Sequence, residues 1–235
     1  MNLNRTRYVL AIISGLTLLA LAALHFVNRQ RERLPGPGSA TYEEMTRTFY
    51  RGLASLQVGL LDDARTGFRR GTELVPGEPS AWANAGLVEL RLGEFDAAEP
   101  LVRQAAALAP ESSEMAFLLG RMESARGRLD ESLTHLRRAV DLDSRNLRAR
   151  FALAQEIERS AAPDADARAQ EEFEKLLEQD PDNLLVLVER TRLAAKRGDA
   201  VSLRDSVARL EKRRATWSPV VIAQSEALRR AVEAR

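Results

Sequence analysis

Acidic side chains recur along the chain at Asp62 and Asp63, at Asp96, and at Asp130 and Glu131. Two carboxylates held a few ångströms apart can do general acid–base work, as in glycoside hydrolysis. Each of these groups, however, falls where a helix is expected to begin, and negative charge there is stabilised by the helix dipole. The sequence therefore reads them as helix starts. Histidine is limited to His25 and His135, and cysteine is absent. A multi-histidine metal site, a thiolate site, a disulfide and a cysteine nucleophile are all without ligands or nucleophile. The glycines are spread at intervals and do not form a phosphate-cradling loop. Glu171, Glu172 and Glu174 with Lys175 read as a solvated helix face. With 35 basic and 34 acidic residues the net charge is +1, which gives no electrostatic case for nucleic-acid binding. No catalytic, cofactor-binding or metal-binding residue is assigned, and neither an enzyme activity nor a small-molecule substrate is expected.

What would position any functional surface is helix. Alanine, leucine, glutamate and arginine dominate, and all four favour helix. The organising feature is a period of 34. Gly52, Gly86 and Gly120 keep that spacing, as do Gly59, Gly93 and Gly127, and Asp62, Asp96 and Asp130. Pro76 with Pro110, and Ala64 with Ala98, keep it too. Such a repeat is the mark of stacked supersecondary units. Each period reads as two short amphipathic helices. In one, Ser80–Arg91 forms helix A, with Trp82, Ala85, Gly86 and Leu90 inward, and Phe95–Leu108 forms helix B, with Ala98, Leu101, Val102 and Ala105 inward. Gly93 marks the turn between them, and Pro110 stops the second helix. Gly86 and Ala98 let two backbones approach closely.

This pattern resembles the tetratricopeptide repeat family. The first repeat carries Gly52, Ala64, Phe68, Gly71 and Pro76; the second carries Trp82, Ala85, Gly86, Ala98, Val102, Ala105 and Pro110. The third carries Leu119, Gly120, Ser132, Leu136 and Ala139, with Ser144 in place of the proline. The fourth carries Leu153, Ala154, Ala169, Phe173 and Pro181, with an insertion expected in Ser160–Asp164. A fifth, near Leu184–Arg214, keeps Gly198 and is degenerate. The resemblance implies an all-α, right-handed solenoid of helix-turn-helix repeats that binds a partner protein or peptide as a scaffold. A narrower resemblance, carried by Phe49–Ala54, Leu74–Pro79 with Trp82–Asn84, and Leu193–Asp199, is to the N-terminal region of bacterial cartilage-acidic-protein-like proteins. There the repeats precede an FG-GAP propeller, so the alternative role is an assembly or regulatory segment of a larger extracytoplasmic protein.

In the family's register the A helices line a concave groove. That register implies a peptide-binding groove of Phe49, Leu53, Leu87, Arg91, Phe117, Arg121, Phe151, Gln155, Arg159, Arg192 and Lys196. Phenylalanines beside arginines suit an extended acidic or C-terminal peptide, because guanidinium forks hold carboxylates and the rings supply buried area.

Ahead of the repeats, Tyr8–Val27 is a twenty-residue run without Asp, Glu, Lys or Arg. As a helix it would span roughly 30 Å, the thickness of a bilayer core. An uncleaved anchor is favoured over a cleaved signal peptide, although Ala20-Leu21-Ala22 has the form of a cleavage site. Arg5 and Arg7 precede the run and Arg29, Arg31 and Arg33 follow it, so the charge rule leans toward a cytoplasmic C-terminal side. The basic start and apolar core point the other way, to export. The expected domains are a membrane anchor at 1–28, a Pro/Gly linker at 29–40, the repeats at 41–215 with Thr41 as first N-cap, and a capping helix at 216–235. The expected location is a bacterial inner membrane, with the repeats on the extracytoplasmic side.

Overall fold

A computed structural model describes residues 35–212 and 219–233. The run Tyr8–Val27 lies outside them. Among the described residues no helix is long and apolar enough to cross a membrane, and every regular element is a helix. The helices are α1 (Ala40–Gln57), α2 (Leu61–Leu74), α3 (Pro79–Leu92) and α4 (Phe95–Leu108). They continue as α5 (Ser113–Ala125), α6 (Leu129–Leu142), α7 (Leu147–Arg159), α8 (Ala165–Gln179), α9 (Leu184–Arg197), α10 (Ala200–Glu211) and α11 (Pro219–Glu233). They fall into two compact units, Met1–Leu108 and Ala109–Arg235.

In the first unit α1 packs on α2 and α3 on α4, and α2 joins the two hairpins. In the second unit α5–α6, α7–α8 and α9–α10 form the hairpins, and α11 packs on α9 and α10. The first four A-to-B pairs, from α1–α2 to α7–α8, rest on the same three-part contact. A minimal side chain on the A helix (Gly52, Gly86, Gly120 or Ala154) faces a buried large one on the B helix (Phe68, Val102, Leu136 or Phe173). A small residue one turn earlier on the B helix, Ala64, Ala98, Ser132 or Ala169, is fully buried as well. A methyl added at Gly86 would lie 2.6 Å from Val102 Cγ2, and one at Gly120 would lie 2.6 Å from Leu136 Cγ. The glycines are therefore required by close approach, and each large residue buried this way stabilises by about 1.5–3 kcal/mol.

The turns follow from the same spacing. Gly59, Gly93, Gly127 and Gly198 close the A helices with φ of 81, 79, 75 and 71°, a region that glycine enters without steric cost. The loop after α7 has no glycine there, and Ala161 takes φ 52° instead, inside the stretch read as an insertion.

Four readings change. Ser39, not Thr41, caps α1, its Oγ accepting from the Tyr42 N–H at 3.2 Å. Trp82 is half-buried, not inward, with its indole N–H donating to the Pro76 carbonyl at 2.8 Å. The buried apolar residues of this helix are Ala81, Ala83, Ala85 and Val88. Leu90 is likewise only half-buried. Glu172 is no solvated side chain: its carboxylate accepts from buried Arg150 at 2.7 Å and from Lys175 at 2.6 Å.

Two buried carboxylates lie 34 positions apart, three residues after Gly86 and Gly120. Glu89 is 1% exposed and accepts from Arg65 at 2.7 Å and Arg69 at 3.0 Å. Glu123 is 2% exposed and is paired with Arg128. A buried carboxylate persists only with such partners.

Candidate functional site

In the second unit the A helices α5, α7 and α9, with Leu176 of α8, line an open cleft of about 360 Å³. Phe117 of α5 and Phe151 of α7, one period apart, form two of its walls. Phe151 is held from behind by Phe173, ring centroids 5.6 Å apart. The Arg148 guanidinium stands 5.7 Å over the Phe117 ring while bound to Glu114 at 2.8 Å, so it acts as part of the wall. Leu147 and Leu185 add to the apolar lining with Ala152, Leu176 and Val186, and Leu185 is 58% exposed.

Polar groups also border this lining. Arg121, one turn beyond Phe117, and Gln155, one turn beyond Phe151, both border the cleft and are exposed. Among the described residues Arg121 has no ion-pair partner. The cleft can therefore shelter an apolar side chain while offering a guanidinium fork and an amide to a neighbouring carboxylate or peptide group.

Of the eleven residues read from the sequence, four meet here: Phe117, Arg121, Phe151 and Gln155. The other three cations read from the sequence in this unit are already engaged. Arg159 is bound to Glu156. Arg192 forks onto Glu158 and also meets Glu189 at 2.9 Å. Lys196 binds Asp166 at 2.7 Å and reaches Glu158 at 3.5 Å. The hydrogen bond from Arg192 holds the Glu158 carboxyl below its ordinary pKa, and Glu158 in turn raises Arg192. Asp166 raises Lys196 in the same way. In the first unit Phe49, Leu53 and Leu87 lie against the core around Phe68. Phe49 meets Phe68 edge-on at 5.7 Å, and Arg91 donates to the Leu56 carbonyl at 3.3 Å.

Leu147, Arg148 and Leu185 were missed because the family register points to the middle of each A helix. The available signal was an apolar residue in the first helical turn, four before Phe151 in the case of Leu147. Among the described residues no cluster of three acidic or histidine side chains could hold a metal ion.

Residues 49–113 and 83–146 match the tetratricopeptide repeat family. No curated protein sequence matches the chain. Among solved structures, PilF of Pseudomonas aeruginosa superposes with a TM-score of 0.65 at 22% identity, over 80% of this chain and 78% of that one. A thermophilic repeat protein of Thermus thermophilus, TTC0263, gives 0.63 at 16%, over 78% and 98%. YrrB, a protein of the same repeat class, gives 0.53 at 17%, over 73% and 90%. These likenesses show an all-α helical-repeat fold and support tetratricopeptide repeats, a class suited to protein–protein interaction.

Proposed function

We propose that this chain is a tetratricopeptide-repeat interaction module, held at a membrane by the apolar run Tyr8–Val27. It receives an extended peptide in the cleft of α5, α7 and α9 and performs no chemistry of its own. The observation that carries this reading is Arg121, without an ion-pair partner among the described residues, beside an apolar cleft with an exposed Leu185. A similar protein, YrrB, has an unusual peptide-binding site. The cleft suits a ligand with one bulky apolar side chain next to a carboxylate, either an acidic residue or the chain end.

The test uses fluorescein-labelled pentapeptides with a central leucine or phenylalanine and a free C-terminal carboxylate, alongside their carboxamide forms. Anisotropy is read with the full chain in detergent. The carboxylate forms should bind better, and Arg121→Ala should weaken them roughly tenfold or more, as for the loss of one charge-assisted hydrogen bond. Leu185→Ser should weaken both forms alike. Equal binding of carboxylate and carboxamide, unchanged by Arg121→Ala, would remove the proposal.

A further inference from the structure

Among the described residues one face of α1 has no packing partner, and it is chemically distinct. At 100° per residue, Arg47, Tyr50, Arg51 and Ala54 fall on a single stripe, and Val58, the residue that ends the helix, follows it. All five are exposed, Tyr50 at 65% and Val58 at 71%. Among the described residues neither Arg47 nor Arg51 has an ion-pair partner. The acidic side chain on this stripe is Glu43, one turn earlier; Glu44, off the stripe, is bound to Arg70 at 2.8 Å. An aromatic hydroxyl between two free guanidiniums, followed by an aliphatic side chain, is the composition of a lipid-headgroup contact.

With Tyr8–Val27 as the proposed anchor, the chain keeps this stripe close to such a surface. Between Val27 and Ala40 lie only residues 28–39, which fully extended reach roughly 45 Å at about 3.3–3.6 Å each. Three further arginines, Arg29, Arg31 and Arg33, fall within that stretch. A tether this short raises the effective concentration of α1 at the bilayer to the millimolar range, so a contact too weak to hold a free protein there is well populated.

We infer that α1, through Arg47, Tyr50 and Arg51, and the Val58 that ends it lie against an anionic lipid surface, fixing the first unit at the membrane; this rests on the anchoring proposed above. The docking presents the first unit in a set orientation instead of leaving it to swing on its linker.

The absence of cysteine allows one-site labelling. Full-length Val58→Cys and, as control, Thr66→Cys on the exposed face of α2 are labelled with bimane. They are reconstituted into vesicles of phosphatidylcholine alone or mixed equally with phosphatidylglycerol, with and without a headgroup nitroxide quencher. In anionic vesicles the Val58 probe should be quenched at least about twofold more than the Thr66 probe, as expected for charge attraction at a lipid surface. Concentrated NaCl, or Arg47→Glu with Arg51→Glu, should erase that difference. Equal quenching of the two probes in protein that floats with the vesicles would overturn the docking and leave the anchor standing. Protein that does not float with vesicles would overturn the anchor itself. A Val58 signal that tracks the protein-to-lipid ratio and ignores lipid charge would assign the stripe to a second copy and overturn the inference.

Discussion

Replacing Gly120 and Gly71 by alanine should move stability in opposite directions. Both glycines sit inside helices, α5 and α2, so each alanine gains about 1 kcal/mol of helix propensity. What differs is the space. At Gly71 the nearest atom to an added Cβ is Ala81 Cβ at 3.5 Å, an ordinary contact that adds a buried methyl. At Gly120 the added Cβ would meet Leu136 Cγ at 2.6 Å, Cδ2 at 2.8 Å and the Leu136 backbone nitrogen at 3.3 Å. Leu136 is fully buried, and its branch carbon cannot swing away without moving α6. Overpacking of this kind costs about 1–3 kcal/mol. Gly71→Ala should thus stabilise by about 1 kcal/mol and Gly120→Ala should destabilise by up to about 2 kcal/mol. Urea unfolding followed by helical circular dichroism would register a gap between the two midpoints of about 1 M. Leu136→Ala alone should cost about 2–5 kcal/mol, and the double variant with Gly120→Ala should fall short of the sum by about 1 kcal/mol. Equal stabilisation by both alanines, or strict additivity with Leu136→Ala, would refute the close-approach argument.

Trp82→Phe should cost about 1 kcal/mol, the value of the lost bond to the Pro76 carbonyl. Trp82→Ala should cost about 2 kcal/mol, well below the ~3–5 of a fully buried tryptophan; thermal melts of both variants check this. Glu89→Ala should cost about 1–2 kcal/mol, because its two arginines can turn to solvent. Arg65→Ala with Arg69→Ala should be the more destabilising change, since it strands a buried carboxylate; paired urea curves compare them. Asp199→Ala should cost about 1 kcal/mol as an N-cap loss at α10. Hydrogen bonds from Gln170, and then from Ser202, hold the Asp199 carboxyl well below the ordinary carboxylate range. Its charge therefore stabilises fully above the unfolded value near pH 4, and that stability is lost as pH falls toward the depressed folded value. Asp199→Asn keeps the cap, so its deficit against wild type should be present at neutral pH and shrink in strong acid; a deficit unchanged by pH would contradict this.

Period and packing were legible because they repeat. Phe68, Val102 and Leu136 keep the 34-residue spacing, Phe173 aligns with them once three inserted residues are counted, and all four are buried. Those extra residues were legible at Ser160–Asp164, where the chain leaves α7 without a glycine. The stretches behind the narrower resemblance also have local work to do. Glu78 caps α3 by accepting from the Ser80 N–H at 3.0 Å, Trp82 holds Pro76, and Gly198 and Asp199 end α9 and begin α10. Pairings across the repeat were not legible. Arg192 with Glu158 and Arg148 with Glu114 are each 34 residues apart. That distance says two side chains share a level of adjacent hairpins, yet gives no sign of which rotamers meet.

That blind spot decides where function can lie. A chain with 35 basic and 34 acidic residues offers many nominal charge sites, and a register drawn from the family marks Arg159, Arg192 and Lys196 as equal to Arg121. The structure separates them by partner. A cation already forked onto an internal carboxylate must first give up that bond, and a visiting carboxylate gains only the difference between two similar interactions. Arg121 has no such debt among the described residues, and it borders an apolar cleft that can hold the rest of a ligand. The same holds for Arg47 and Arg51, which flank an exposed tyrosine. In a near-neutral helical repeat, selectivity resides in the charges that the fold leaves unmatched beside exposed apolar surface, and counting charge alone cannot find them.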